Sequence, residues 1–358
     1  MGFGVVAFGF SFQGRGCSGE HGAQHSGVGR VDLPARLSAG QRGQHTMLLS
    51  GVAVATAALG CWAGWYVLVV KPAATSGRPF GPKWLATFVS KLMYEYGRWY
   101  LKYSDNILER MAEGHWKDGR NYVMCWHPHG IFAISGMFFV SHHWARDFPS
   151  GQTAKQFVCV APLLLRVPFL AEYLLLCHAR SQDRRNFNKL LDQGATVAVC
   201  PGGIYEQINT DEKQERLFFP ANLGFIRLAI QHGTPLIPIY CFGENQLWRT
   251  AEWVRKVNNF FYKTFKMGNV IVLGAFGLPT TLLIPNPLCV PVFGRRLHIE
   301  FGAPVEVGEK EAEPSDARVK EVYTKYVAAL QKMFDENAPK YLPKEVADRG
   351  LEIILRSK

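Results

Sequence analysis

The hydrophobic pattern is unbroken from 47 to 70, where 24 consecutive positions carry no charge and close on Trp62, Trp65 and Tyr66 before Lys71. At about 1.5 Å per residue, a helix of that length runs roughly 36 Å, enough to cross the hydrocarbon core of a bilayer. One membrane-spanning helix is expected, in preference to a buried core helix or a signal peptide. Pro72, Gly77, Pro79 and Gly81 then predict a linker that closes near Pro82. Over 84–108, Trp, Phe, Tyr and Leu mix with Lys and Arg, as in an amphipathic helix lying among lipid headgroups or a soluble surface helix over the core. From 121 onward, short apolar runs alternate with helical periodicity. Strands are predicted at 121–126, 156–160, 195–200, 235–242, 269–273 and 297–301, and helices at 167–177, 184–193, 222–232 and 245–266. Strands interleaved with helices predict an α/β architecture with a largely buried sheet. A closing amphipathic helix over 315–336 places Val319, Val322, Tyr323, Tyr326, Val327, Leu330, Met333 and Phe334 at three-four spacing, an apolar stripe for core packing.

Composition sharpens this division. The 358 residues are 48% hydrophobic, with 24 Phe and 9 Trp, enough to fill a sizeable core and to furnish a membrane interface. The net charge of +11 favours anionic partners. No finger spacing, basic helix or aromatic-basic RNA motif accompanies it, so nucleic acid is not expected, and lipid headgroups or a phosphorylated cosubstrate fit better. The eight cysteines stand singly without a Cys-x-x-Cys pair, as buried thiols do in a reducing compartment, which places the globular part in the cytosol. Residues 1–46 are rich in Gly, Ser, Gln and Arg and are expected to be disordered, either as a targeting segment or as an upstream extension of a chain beginning at Met47. The expected organisation is therefore that segment, the span at 47–70, a linker and interfacial helix over 71–120, a catalytic domain over 121–342 and a tail over 343–358.

Candidate chemistry gathers where apolar runs end. His127-Pro128-His129-Gly130 is a polar turn set into the apolar run 122–140. Proline biases His127 toward an extended conformation, Gly130 can take positive φ, and His129 is thereby presented at a strand end, where α/β sheets place ligands. A helix opening at 131–140 would disfavour the imidazolium and keep the ring neutral, as a general base requires. A hydrogen-bonded buried pair, or part of a metal site, is the plainer reading of two such histidines. After the strand at 195–200, Gly202-Gly203 reads by itself as a plain turn, or as amides that hold an oxyanion or phosphate, with Glu206 placed to orient an imidazole or accept a hydrogen bond. In 222–229, Phe225, Leu228 and Ala229 share one helical face. Arg227 projects elsewhere, either to water or to a phosphate. Phe242-Gly243-Glu244-Asn245 is a further polar group at a strand end, while Arg180, Arg184 and Arg185 read as solvated charges.

His127-Pro128-His129-Gly130, Gly202-Gly203 with Glu206, Gly224-Phe225-Ile226-Arg227-Leu228-Ala229 with His232-Gly233, and Phe242-Gly243-Glu244-Asn245 together resemble the ordered motifs of the type-2 diacylglycerol acyltransferase family. That family also holds monoacylglycerol and wax-ester-forming acyltransferases. The likeness runs from about 121 to 341. It implies a glycerolipid-acyltransferase-like mixed sheet flanked by helices, in an enzyme of the endoplasmic reticulum membrane whose catalytic domain faces the cytosol, with lipid droplets as a second location. The implied reaction esterifies diacylglycerol to triacylglycerol with acyl-CoA as cosubstrate and without metal or prosthetic group; monoacylglycerol or a wax alcohol is the alternative acceptor, and a homo-oligomer stays open. More distantly, the chain is similar to acyltransferases with a His-x4-Asp motif, but Ile134 follows where an Asp would allow a dyad. Other departures from the family are a single span in place of a hairpin, Tyr103-Ser104-Asp105 where a Tyr-Phe-Pro element is common, and Asn222 in place of an arginine.

The expected mechanism makes His129 the base that deprotonates the acceptor hydroxyl, with Glu206 or His127 orienting the ring. The glycine turn would stabilise the oxyanion, and Arg227 would grip coenzyme A phosphates. Pro128, Gly130, Gly202, Gly203, Phe225, Glu244 and Asn245 complete the expected substrate-binding set. Two rivals stand in other classes: a metal-dependent lipid hydrolase using His127, His129 and Glu206 or Glu244, and a non-catalytic droplet-coating protein.

Overall fold

The computed structural model describes residues 39–114, 120–136, 156–281, 286 and 288–357, with side chains from Ser50 onward. The expectations for residues 1–38, and for the helix after the histidine turn beyond Gly136, lie outside the described residues. Two compact units divide the chain between Ala58 and Leu59. The first is helical over its described residues, 39–58.

Helix α1 (Ala39–Trp65) continues through a π-helical turn, Tyr66–Val70, into α2 (Lys71–Ala74). The stretch Ser50–Ala74 is long and apolar enough to cross a membrane. It outlasts the predicted 47–70 because the chain stays helical through Pro72, whose fixed φ suits a helix; the linker therefore begins at Thr75. Trp65 Nε1 donates to Glu172 Oε1 at 2.7 Å, and Val70 and Ala74 pack on Leu165, Ala171 and Leu175. The linker is fastened as well. The buried Arg180 donates through Nε to the Ser76 carbonyl at 2.7 Å and through Nη2 to that of Arg78, while Lys189 Nζ donates to the Thr75 carbonyl at 2.8 Å.

Helix α3 (Lys83–Leu101) ends at Lys102, whose left-handed backbone (φ 47°) splits the predicted 84–108 helix. Strand β1 (Ser104–Asp105) and α4 (Ile107–Ala112) follow. The inner face of α3 is small, with Ala86, Ser90 and Gly97 buried, whereas Trp84, Phe88, Leu92 and Trp99 on its outer face are 70%, 62%, 60% and 79% exposed.

The remaining order is β2 (Val123–His127), β3 (Gln156–Val160), α5 (Leu170–Leu176), β4 (Ala179–Ser181), α6 (Arg184–Asp192), β5 (Thr196–Val199), α7 (Gly203–Ile208), β6 (Glu215–Phe219) and α8 (Gly224–His232). Then come β7 (Leu236–Phe242), α9 (Glu252–Phe265), β8 (Ile271–Leu273), β9 (Pro279–Thr281), β10 (His298–Phe301), α10 (Asp316–Tyr341), α11 (Lys344–Ala347) and β11 (Leu351–Leu355). Seven strands form a mixed sheet in the order β1-β10-β7-β2-β5-β3-β4, parallel except for the antiparallel pair β10–β7. Strand β3 was predicted to the residue, and β2, β5, β7 and β10 to within two residues at either end. The short β1 and β4 were not, and the predicted strand at 269–273 forms the separate hairpin β8–β9. The predicted 245–266 helix opens as a single 3-10 turn, Asn245–Leu247, before α9. The supposed tail at 343–358 carries α11 and β11, which pairs in parallel with β6.

The sheet is buried on both faces, and strand alternation decides which side chain goes where. Val123 and Cys125 of β2, with Tyr240 and Phe242 of β7, meet Tyr326, Leu330, Met333 and Phe334 of α10. Met124 and Trp126, with Ile237, Ile239 and Cys241, face Leu101, Tyr103, Leu247 and Trp248. Burial of each large apolar side chain contributes about 1.5–3 kcal/mol, so this double packing holds the C-terminal ends of β2 and β7 firmly.

Candidate active site

Strand β2 lies between β5 and β7, and its register brings His127 opposite Tyr240. His127 is 1% exposed; its Nε2 lies 2.9 Å from the Tyr326 hydroxyl and its ring packs on Phe219 at 5.1 Å between centroids. Burial drives its pKa down to about 3, so the ring is neutral. The His127-Pro128 peptide bond is cis. Beyond it the chain turns, and His129 is only partly buried. Its Nδ1–H donates to the Gly130 carbonyl at 3.0 Å, which leaves the lone pair on Nε2. Burial also lowers the His129 pKa.

Four side chains from other segments, Glu206, Gln207, Glu244 and Asn269, hold the main chain of this turn. The His129 N–H donates to Glu206 Oε1 at 2.6 Å, and Phe218 N–H donates to Oε2 of the same carboxylate at 2.8 Å. Ile131 C=O accepts from Gln207 Nε2 at 2.7 Å. Ile134 and Ser135 N–H groups donate to the two oxygens of Glu244 at 2.9 and 2.8 Å. Trp126 Nε1 adds a bond to Ser135 Oγ at 2.8 Å. The fit explains two glycines. Gly130 has φ 62°, and a Cβ there would lie 2.4 Å from Glu244 Cγ, while a Cβ at Gly202 would lie 2.2 Å from Glu206 Oε2. Burial pushes the carboxyls of Glu206 and Glu244 up to about 7, and the backbone N–H bonds oppose that rise.

Several sequence expectations are corrected by this geometry. Glu206 reaches the His129 amide and not its ring, and His127 binds Tyr326 rather than its neighbour. Gly203 N–H donates to the Cys200 carbonyl at 3.1 Å and is not an oxyanion donor. Phe225 is buried; it stacks on Phe219 and meets Tyr326 edge-on, so it belongs to the wall behind His127. Arg227 donates to the carbonyls of Asn222 and Pro314 and pairs with Asp316, which ties α8 to α10 and leaves no free guanidinium for a phosphate. Asn245 Nδ2 donates to Glu215 Oε2 at 2.9 Å. Arg180, expected as a solvated charge, is buried.

Four participants escaped the sequence reading. Tyr326 sat in a stripe assigned to packing, and Gln207 carried no signal beyond adjacency to Glu206. Glu215, with bonds from Tyr240 at 2.7 Å and Gln246 at 2.8 Å, lay in a strand that was not predicted. Asn269 holds the Gln207 carbonyl at 3.2 Å. The arrangement offers an imidazole whose Nδ1–H is engaged and whose lone pair lies on Nε2, carried on a main chain tied at several points.

Residues 85–349 match the diacylglycerol acyltransferase family. Human 2-acylglycerol O-acyltransferase 1 is 27% identical over 235 residues, covering 62% of this chain and 66% of that protein. Human acyl-CoA wax alcohol acyltransferase 2 is 29% identical over 263 residues, covering 66% and 70%. Diacylglycerol O-acyltransferase 2B of Umbelopsis ramanniana is 25% identical over 264 residues, covering 66% and 69%. The similar region thus spans about two thirds of each relative's length.

Proposed function

The chain belongs to the diacylglycerol acyltransferase family, and on that premise we propose that it is an acyl-CoA-dependent O-acyltransferase that converts diacylglycerol to triacylglycerol with His129 as general base. The observation that carries the base assignment is the bond from Nδ1–H to Gly130, which fixes the tautomer with the lone pair on Nε2. In this reading Nε2 takes the proton of the acceptor hydroxyl as its oxygen attacks the thioester carbonyl. The C–S bond then breaks, and the imidazolium returns the proton to the departing thiolate. Glu206, Gln207 and Glu244 are positioning residues, acting through the main chain on which His129 sits.

Matched relatives named for monoacylglycerol, diacylglycerol and wax-alcohol acceptors make the acceptor the finer question. The membrane setting is supported by Ser50–Ala74 and by the outward aromatic face of α3, which is the surface that an interfacial helix requires. The seven described cysteines are all unpaired, in keeping with a catalytic domain on the cytosolic side of the endoplasmic reticulum. The metal-hydrolase reading has less support, since among the described residues no three His, Cys, Asp or Glu side chains gather as a metal site would require.

The test is the full chain in microsomes with labelled acyl-CoA and diacylglycerol, monoacylglycerol and a long-chain alcohol in parallel. Triacylglycerol should be the main product, and His129→Ala should lower its formation by about 10² to 10⁴. Wild-type turnover in that variant would end the base assignment, and a dominant wax ester or diacylglycerol product would reassign the acceptor.

A further inference from the structure

At the β1 edge of the sheet, away from the turn, another histidine is held between a hydroxyl and a carboxylate. Ser104 of β1 pairs with His298 of β10, and Glu300 stands two residues further along the same strand, so all three side chains leave one face. Ser104 Oγ lies 2.8 Å from His298 Nδ1, and His298 Nε2 lies 3.0 Å from Glu300 Oε2. Glu300 Oε1 accepts from Asn106 Nδ2 at 2.5 Å and from Arg110 Nη2 at 3.1 Å, which fixes the carboxylate opposite the ring. Tyr341 stacks flat on His298, with centroids 3.7 Å apart and 8° between planes. His298 and Glu300 are buried, whereas Ser104 is exposed. A nucleophile in reach of a base, with the base oriented by a third group, is the arrangement that activates a serine, and it is recognised by geometry rather than by chain order.

We propose that Ser104, His298 and Glu300 form a second nucleophilic centre that hydrolyses small activated carboxylic esters through an acyl-Ser104 intermediate. With Nε2–H donating to Glu300, Nδ1 carries the lone pair that receives the Ser104 proton. Oγ bonds to the ester carbonyl carbon, the bond to the leaving oxygen breaks, and His298 passes its proton to the departing alkoxide. Water then gives a proton to Nδ1 as its oxygen attacks the acyl carbon, Oγ departs and recovers that proton, and a carboxylic acid is released. Structural knitting of α4 to β10 accounts for Asn106, Arg110 and Glu300, because Asn106 also bonds the Phe301 N–H and C=O and Arg110 the Phe301 C=O. It does not call for an exposed hydroxyl on the far nitrogen of the histidine.

The full-length chain in detergent micelles should be treated with a fluorophosphonate, a reagent that supplies its own leaving group, and the adduct located by mass spectrometry. Stoichiometric modification of Ser104 is expected, with loss of that adduct in Ser104→Ala and labelling at least tenfold slower in Glu300→Gln. His129→Ala should label at the wild-type rate, which separates this centre from the acyltransferase site. Circular dichroism melts verify that each variant is folded. An unmodified Ser104 in the folded wild-type chain, or a Glu300→Gln rate equal to wild type, would overturn the proposal.

Discussion

His127 and His129 stand two residues apart in one turn and meet opposite surroundings. The first is sealed behind Phe219 and Tyr326, with its Nε2 engaged by a hydroxyl, and the second is only partly buried, with its Nδ1–H on the Gly130 carbonyl. The same side chain therefore acts as a structural plug in one place and as a candidate base in the other, and the difference comes from the main chain between them. Glu206, Gln207 and Glu244 hold that main chain in the turn that separates the two rings.

The widest separation should come from replacing each ring in turn. His129→Ala is expected to lower kcat by about 10² to 10⁴ with little change in Tm. His127→Ala should act chiefly through stability, at about 2–4 kcal/mol, by opening a cavity and stranding Tyr326. Steady-state kinetics and thermal melts on both variants check this, and the contrast collapses if the two show the same pattern.

Next in size is Glu206→Gln. An amide cannot accept from both His129 and Phe218 N–H, so one donor faces another at a cost of about 1–3 kcal/mol. A ten- to hundredfold fall in kcat with KM nearly constant is expected, as for a residue that positions the base without touching substrate. A rise in KM alone would argue against that role.

Tyr326→Phe should cost less, about 1–2 kcal/mol of stability, by leaving the buried His127 Nε2 without its hydroxyl. Its kcat should stay within a few-fold of wild type; a large loss would mean that the walled ring takes part in turnover after all.

The smallest effect is in the pH dependence. The Glu206 and Glu244 carboxyls titrate at about 7 in the fold, above their ordinary 4.5, so between pH 8 and 6.5 the folded chain takes up protons that the unfolded chain does not. Stability from these groups should therefore rise as pH falls through that window, by under about 1 kcal/mol per group. Activity should fall several-fold over the same window, because a protonated carboxyl no longer accepts two N–H bonds. Below 6.5 the trend in stability should flatten as the unfolded chain protonates His127, whose folded pKa lies at about 3. Paired Tm and rate profiles test whether the two slopes oppose.

What the sequence made legible was set by local patterning. Runs such as 235–242 read as strands because every position is apolar and the sheet buries both faces. Glu215–Phe219 escaped because it opens with two charges, and the break in 84–108 escaped because Lys102 takes a left-handed conformation that its identity does not advertise. The turn was found by its odd composition inside an apolar run. The partners of its groups were not, since Glu206 lies 77 residues from His129 and Tyr326 lies 199 from His127, separations that no periodicity encodes. Arg227 shows the same limit, because nothing local told water or phosphate apart from the Asp316 it pairs with.

The grip of Arg180, Lys189 and Glu172 on residues 65–78 makes the C-terminal end of the apolar stretch a fixed attachment rather than a loose tether. A pull on the apolar stretch would therefore load β4, α5 and α6 directly, and would not be absorbed by slack between the helix and the sheet.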